Sequence, residues 1–243
     1  MIYSSQAAAD RTYWPWLNKN VPKEQFRQRL IESDRSDRAI FELLMRFFAE
    51  KKKGEISPDL ILGEKTPANL DYVPTLMRWF PQAKIIHTFR DPRAIYVSAV
   101  KLARASKWGW KDKLQPLPNV FMNPAVEVSM AVYILRAWLS ASSLHASYAK
   151  QYPGRYYLVR FEDFLERPET VLRDLCEFLN VPFQPNMLED VAIIESSFNE
   201  QRIVKEGIDK DVADRWKGHI HPVARVMFST LGKRQLENFG YSS

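Results

Sequence analysis

Ile85-Ile86-His87-Thr88-Phe89-Arg90-Asp91-Pro92-Arg93-Ala94-Ile95-Tyr96-Val97-Ser98 is the stretch whose reading decides the fold of this 243-residue chain. Lys84 to Phe89 is a short run rich in β-branched and aromatic residues, which predicts a strand. Arg90 then stands at its carboxyl end, where open α/β sheets bind their ligands. Asp91 suits a helix cap and Pro92 the first helical turn. Ser98 follows about two turns into that helix. An arginine at a strand end and a serine on the next helix can converge on one phosphate, and the guanidinium fork suits such an anion. The same residues also fit an Arg–Asp ion pair at a helix start with Ser98 merely exposed. The stretch by itself leaves both readings open.

Outward from this turn, short strands alternate with helices. Leu60-Ile61-Leu62 predicts a strand running into Gly63-Glu64-Lys65-Thr66-Pro67, which puts Lys65 at the same sheet edge as Arg90. A lysine there is suited to neutralising charge on a transferring group. A helix is expected from Asn69 to Trp79, and Arg155 to Arg160 is the third strand. Helices are also expected over Lys23–Ile31 with Pro22 at the first position, Asp37–Lys52, and Pro168–Leu179. A long helix from Pro124 to Gln151, capped by Asn123, has few polar interruptions and is expected to be largely buried. Glu195 to Lys217 is a polar stretch, and Pro222 to Glu237 is the last helix. Lys51-Lys52-Lys53 before Gly54 reads as a helix C-terminus matched to its dipole. Strands alternating with helices imply parallel pairing with helices on both faces, an α/β fold in a single domain. Residues 1–58 are expected to be irregular and helical, and 59–243 to form the core.

Composition sets limits rather than answers. Hydrophobic residues at 46% and charged residues at 26% are ordinary for a globular fold. The formal charge of +6 favours anionic partners. One cysteine, Cys176, excludes an intramolecular disulfide framework and any multi-cysteine metal site, and its apolar neighbours predict burial. No segment has the length and apolarity of a membrane span or signal peptide, so a cytoplasmic location is expected and no membrane partner. His219 and His221 lack further ligands nearby and read as exposed loop histidines, so no metal is expected. His87 in its strand and His145 in the long helix read as packing residues.

Glu64-Lys65-Thr66-Pro67, Phe80-Pro81-Gln82-Ala83-Lys84-Ile85-Ile86 and Arg90-Asp91-Pro92-Arg93 with Ser98 together resemble the sulfotransferase superfamily that uses 3′-phosphoadenosine 5′-phosphosulfate (PAPS). Val159-Arg160-Phe161-Glu162-Asp163-Phe164, Phe178-Leu179-Asn180-Val181-Pro182, Arg215-Trp216-Lys217 and Phe239-Gly240-Tyr241 continue the likeness in order, nearest to the tyrosylprotein and bacterial branch. The resemblance implies a P-loop-NTPase-like three-layer sandwich, helix-rich, with a short parallel sheet flanked by helices. It implies PAPS as co-substrate and sulfuryl transfer to a hydroxyl or amine of an acceptor whose identity stays open. Arg90 and Ser98 match the pair that binds the 3′-phosphate, and Lys65 the lysine that approaches the sulfuryl group. Ser197 to Lys205, with Gln201, Arg202 and Lys205, matches a loop that folds over the nucleotide. Arg215 matches a basic residue near the 3′-phosphate, with Trp216 packed beneath it. Glu162 and Asp163 read as structural, capping the turn toward Pro168.

The chain departs from this family in one respect. The family begins with a strand and a glycine-rich loop that wraps the 5′-phosphosulfate through backbone N–H groups. The first glycine here is Gly54, and no such loop precedes Gly63. The expectation is an N-terminally incomplete domain lacking roughly 30–50 residues, the size of a βαβ unit. The alternative is an impaired protein that binds adenosine 3′,5′-bisphosphate or a sulfated ligand. A nucleic-acid module, suggested by charge and by Trp108, Trp110, Lys111 and Lys113, lacks any accompanying signature and is not expected. A homodimer stays open.

Overall fold

The computed structural model describes residues 21–57, 60–104, 124–194, 202–206, 208 and 210–242. The first twenty residues, the tryptophan-rich segment around Trp108, the Asn123 cap and residues 197–201 of the expected nucleotide loop lie outside them. The chain forms two compact units, Met1–Trp79 and Phe80–Ser243.

In the first unit, α1 spans Lys23–Glu32 and α2 spans Asp37–Lys53. Pro22 immediately precedes α1 rather than opening it. Ser36 caps α2 by accepting from the Ala39 N–H. Lys51, Lys52 and Lys53 close α2 against its negative dipole end, and Gly54 at φ 79° ends it. The two helices are joined by Phe26 against Phe47 and by an Arg29–Glu50 ion pair at 2.7 Å. The expected helix over Asn69–Trp79 is two elements, a 3-10 turn over Pro67–Tyr72 and α3 over Val73–Trp79. Pro74 explains the break, because a proline lacks the N–H that would continue an earlier turn.

The strand expected at Leu60-Ile61-Leu62 does not form. Ile61 is exposed, and the Leu60 N–H donates to the Ser57 carbonyl in a turn. A short apolar run becomes a strand only when a neighbour takes its backbone groups, and no described residue pairs with this one.

In the second unit, β1 (Ile85–Phe89) and β2 (Tyr156–Arg160) pair in parallel, Ile85 opposite Tyr156 and Phe89 opposite Arg160. The Arg155 guanidinium secures the approach by donating to the Ala83 and Phe80 carbonyls. Next come α4 (Pro92–Arg104), α5 (Pro124–Gln151), α6 (Phe161–Glu166) and α7 (Pro168–Leu179). Alternation along β1 sends His87 and Phe89 to one face, where they meet His145, Trp138 and Phe239. On the opposite face Tyr157 packs on Phe178 of α7, whose ring and carbonyl also receive the Lys84 ammonium. Helices therefore cover both faces of the short parallel sheet. Asn180, left-handed at φ 60°, closes α7, and Cys176 is buried as its neighbours predict.

A second core joins α4, α5 and α8 (Pro222–Leu231), with Ala131, Ala224 and Phe228 fully buried. The long α5 is less buried than its composition suggests. Val132 and Tyr133 face outward, the latter 74% exposed, because a lone helix face meets the sheet and α8 while its opposite side meets solvent. The expected last helix is divided into α8 and α9 (Lys233–Asn238) at Gly232. A Cβ there would stand 2.7 Å from the Phe228 carbonyl oxygen and 3.1 Å from Leu135 Cδ1, so only glycine lets the turn approach α5. β3 (Asp190–Ile194), just before the polar stretch expected from Glu195 to Lys217, pairs antiparallel with β4 (Arg202–Glu206) inside it, and a 3-10 turn over Lys210–Ala213 follows. Among the described residues, no helix is long and apolar enough to cross a membrane.

Candidate functional site

The site is built around the carboxyl end of β1. Asp91 caps α4: its Oδ1 accepts from the Arg93 N–H at 2.8 Å, and Pro92 occupies the first turn. The Asp91 carboxylate also takes the Arg93 guanidinium in a fork, Oδ1 with Nε at 3.0 Å and Oδ2 with Nη2 at 2.8 Å. Both side chains are about 95% withdrawn from solvent, at 6% and 5% exposure. The Arg93 guanidinium lies 4.3 Å from the centre of the buried Trp216 ring. A basic residue in the first turn of a helix opposes the helix dipole, and this pairing offsets that cost.

Because Asp91 is committed to Arg93, Arg90 is left without a carboxylate hydrogen-bond partner among the described residues. Its guanidinium lies 4.5 Å over the Phe161 ring, and a long 3.5 Å contact to the Val212 carbonyl is its one hydrogen bond among the described residues. The Arg90 Nε is buried and finds no acceptor there. Burial lowers the Arg90 pKa from its ordinary value, while the Glu162 and Asp91 carboxylates act in the opposite direction. This is a cation held in place with its Nε–H unspent, a ready match for an anionic oxygen.

The Arg90–Asp91 peptide is itself gripped from two sides. Trp138 Nε1 donates to the Arg90 carbonyl at 3.0 Å, and the Asp91 N–H donates to Glu162 Oε1 at 3.0 Å. Glu162 Oε2 accepts from the Tyr241 hydroxyl at 2.9 Å. Burial first, then the Glu162 carboxylate, raises the Tyr241 pKa and keeps that hydroxyl protonated as the donor. Arg160 pairs with Asp163 at 3.2 Å and lies over the Tyr241 ring. Glu162 is thus structural as expected, but it serves the β1 end and the chain terminus rather than the turn toward Pro168. A cleft of about 350 Å³ opens beside these groups, lined by Asp91, Arg93, Arg160, Glu162, Trp216 and Tyr241.

The remaining expected site residues are distributed as follows. Ser98 lies on the exposed side of α4 with Ile95 and Lys101 and makes no hydrogen bond to Arg90. Arg215 is exposed, and the described partner of Trp216 is Arg93. Lys65 is exposed in the first unit, in a loop where Glu64 accepts from Thr66 and Asn69. Gln201 lies outside the described residues. Arg202 and Lys205 belong to β4, paired with Ile194 and Val191, so this part of the expected loop is a strand. The β-branched residues of Val191-Ala192-Ile193-Ile194 and Ile203-Val204 favour that pairing over an open loop. His221 is no idle loop residue: its Nδ1 accepts from the Val223 N–H and caps α8. Asp91, Arg93, Trp138 and Tyr241 are absent from the expected site. The one local sign of them is the basic residue at a helix start, Arg93.

Beneath the site, one hydroxyl links two histidines. Tyr156 Oη lies 2.6 Å from His87 Nδ1 and 3.3 Å from His145 Nδ1. A phenol has one proton, so it donates to one ring and accepts from the other. Burial, and then the neighbouring His145, lowers the His87 pKa to about 4. Unfolding restores an ordinary value near ~6.5, so the unfolded chain binds more protons between these limits. His87 therefore contributes stability that is present in full above about pH 6.5 and is lost as pH falls toward 4. Melting temperatures between pH 7.5 and 4.5 are expected to fall less steeply for His87→Gln than for the native chain. Parallel slopes would show that His87 takes no part.

The sequence matches the profile described as Sulfotransferase family over residues 4–185. It is 26% identical over 171 residues to a Caenorhabditis elegans protein named "Putative protein-tyrosine sulfotransferase", covering 68% of this chain and 59% of that one. It is also 26% identical over 167 residues to the omega-hydroxy-beta-dihydromenaquinone-9 sulfotransferase Stf3 of Mycobacterium bovis, covering 69% of this chain and 38% of the relative. The chain thus spans well under two thirds of the length of these relatives. In structure it is similar to the sulfotransferase domain from the curacin biosynthetic pathway, with a TM-score of 0.55 and 21% identity over 84% of this chain and 68% of that domain. The likeness in structure covers the layered fold, and the profile covers the Arg90 turn and the Glu162 segment together: this chain belongs to the sulfotransferase family.

Proposed function

We infer that this protein transfers a sulfuryl group from PAPS to an acceptor hydroxyl, with Arg90 holding the 3′-phosphate of the nucleotide. The observation that carries this reading is Arg90 itself, set at the end of a parallel strand with a buried, unspent Nε. A dianionic phosphate supplies the acceptors that the protein withholds from this guanidinium. Ser98 and Arg215 are the further residues assigned to the same phosphate, and Gln201, Arg202 and Lys205 to the segment covering the nucleotide.

PAPS, when bound, supplies the sulfuryl group, and the chain's part is positioning and charge. Sulfuryl transfer, like phosphoryl transfer, gains most from fixed cations around the moving group. Lys65 is assigned that role. Two relatives are named for a tyrosine and for an omega-hydroxy compound, which favours a hydroxyl over an amine as acceptor.

The test is a pair of titrations with the native chain. Adenosine 3′,5′-bisphosphate is expected to bind at least about tenfold more tightly than adenosine 5′-phosphate, the factor that one added charge-assisted hydrogen bond provides. Equal affinities would overturn the assignment of Arg90. Transfer of label from [35S]PAPS to hydroxyl acceptors then separates an enzyme from a protein that binds the nucleotide without turnover.

A further inference from the structure

The Arg90–Asp91 peptide is the point where the strand stops and the helix begins, and side chains from two other elements hold it. Trp138 of α5 donates to its carbonyl, and Glu162 of α6 accepts from its N–H. The second Glu162 oxygen is occupied by the hydroxyl of Tyr241. The segment from Leu236 to Tyr241 is anchored independently. Phe239 stacks on Phe89 with ring centres 4.3 Å apart, Leu236 is fully buried, and Gly240 at φ 72° turns the backbone against Arg160. Tyr241 has only 6% of its surface exposed.

We propose that Glu162 and Tyr241 are positioning residues: Tyr241 holds Glu162, and Glu162 holds the peptide that aims Arg90 at its anion. This rests on the functional reading given above for Arg90. Electrostatics alone argues against placing Glu162 here, since a carboxylate near a phosphate site repels the ligand. What this glutamate contributes here is geometry. Its two oxygens bridge two donors that are 150 residues apart in sequence, Asp91 N–H and Tyr241 O–H. Phe161, the ring beneath the Arg90 guanidinium, immediately precedes Glu162, so both supports of Arg90 come from one turn of α6.

The two accounts predict opposite signs. If Glu162 acted only through its charge, both Glu162→Ala and Glu162→Gln would strengthen nucleotide binding. Positioning requires that they differ. Gln keeps an oxygen for the Asp91 N–H and can offer its amide N–H to the Tyr241 oxygen, so affinity should stay equal or rise. Ala releases the peptide, and affinity for adenosine 3′,5′-bisphosphate should fall about tenfold, as for one misaligned charged hydrogen bond. Affinity for adenosine 5′-phosphate should stay within about twofold, because the lost contact is to the 3′-phosphate. Tyr241→Phe, which removes one oxygen and leaves the ring packed, should fall between native and Glu162→Ala.

The experiment combines those titrations with nuclear magnetic resonance of the free, full-length chain. In Glu162→Ala the Asp91 amide should exchange at least about tenfold faster and the Arg90 Nε–H should lose order, while amides of Phe89 and Phe228 keep their native protection. Unchanged exchange and order would overturn the proposal, as would equal nucleotide affinities for the alanine and glutamine variants. If the native chain bound neither nucleotide, the functional reading would fail, and the resonance measurements alone would still decide whether Glu162 and Tyr241 position Arg90. Should Glu162→Ala fail to fold, Tyr241→Phe carries the same comparison with a smaller expected change.

Discussion

Asp91→Ala is expected to lower the unfolding free energy by roughly 3–5 kcal/mol, the usual cost of removing one partner of a buried ion pair. The carboxylate does two things at once. It caps α4 through the Arg93 N–H and forks onto the Arg93 guanidinium, where the two side chains keep only 6% and 5% of their exposure. Without it the guanidinium stays against Trp216 and loses its carboxylate acceptor. Asp91→Asn keeps the cap and one acceptor, so its loss should be smaller. A double variant, Asp91→Asn with Arg93→Met, should recover most of the stability, because a buried pair exchanged for apolar volume is often neutral. Urea unfolding with an unchanged slope measures all three. A loss under about 1 kcal/mol for Asp91→Ala would mean that Arg93 escapes to solvent and that the pair is incidental.

For Arg90→Ala the expected result runs the other way, with small stability changes and a large loss of binding. Among the described residues the guanidinium forms one long hydrogen bond and a contact with Phe161, and its buried Nε finds no acceptor. A group that costs desolvation and makes few native bonds contributes little to folding. Its stability effect should lie within about 1 kcal/mol. Affinity for adenosine 3′,5′-bisphosphate should fall by roughly ten- to a hundredfold, since each hydrogen bond to a charged group is worth ~1.5–3 kcal/mol. Adenosine 5′-phosphate should lose little. Arg90→Lys keeps the charge but not the fork, so it should restore only part of the affinity. A calorimetric titration in which both nucleotides weaken equally would remove Arg90 from the 3′-phosphate.

Much of the fold is legible locally. The Arg90 turn, the Asp91 cap, the Pro92 start and the helix over Pro168–Leu179 all follow from short-range chemistry that does not depend on distant residues. The failures share a different cause. Leu60-Ile61-Leu62 has the composition of a strand, but strand pairing is a property of two segments, and no described residue supplies the second. Val191-Ala192-Ile193-Ile194 and Arg202-Ile203-Val204 are divided by a polar stretch, and their pairing outweighs the polar average. Pro222 to Glu237 reads as one helix until the approach of Leu135 and the Phe228 carbonyl to Gly232 is known.

The sequence by itself determined the strand, turn and helix that carry Arg90, because a cap, a proline and a strand end are encoded within fourteen consecutive residues, and its ordered motifs carried the likeness to the family. Only the tertiary structure decided which arginine is spent and which is free. Arg90 and Arg93 both flank Asp91, and nothing local chooses between them. The choice is made by Trp216, which receives Arg93 from far along the chain, and by Phe161, Trp138 and Glu162, which hold Arg90 and its peptide from elsewhere. A carboxylate satisfies one guanidinium fork at a time, so the packing that gives Asp91 to Arg93 is what leaves Arg90 available.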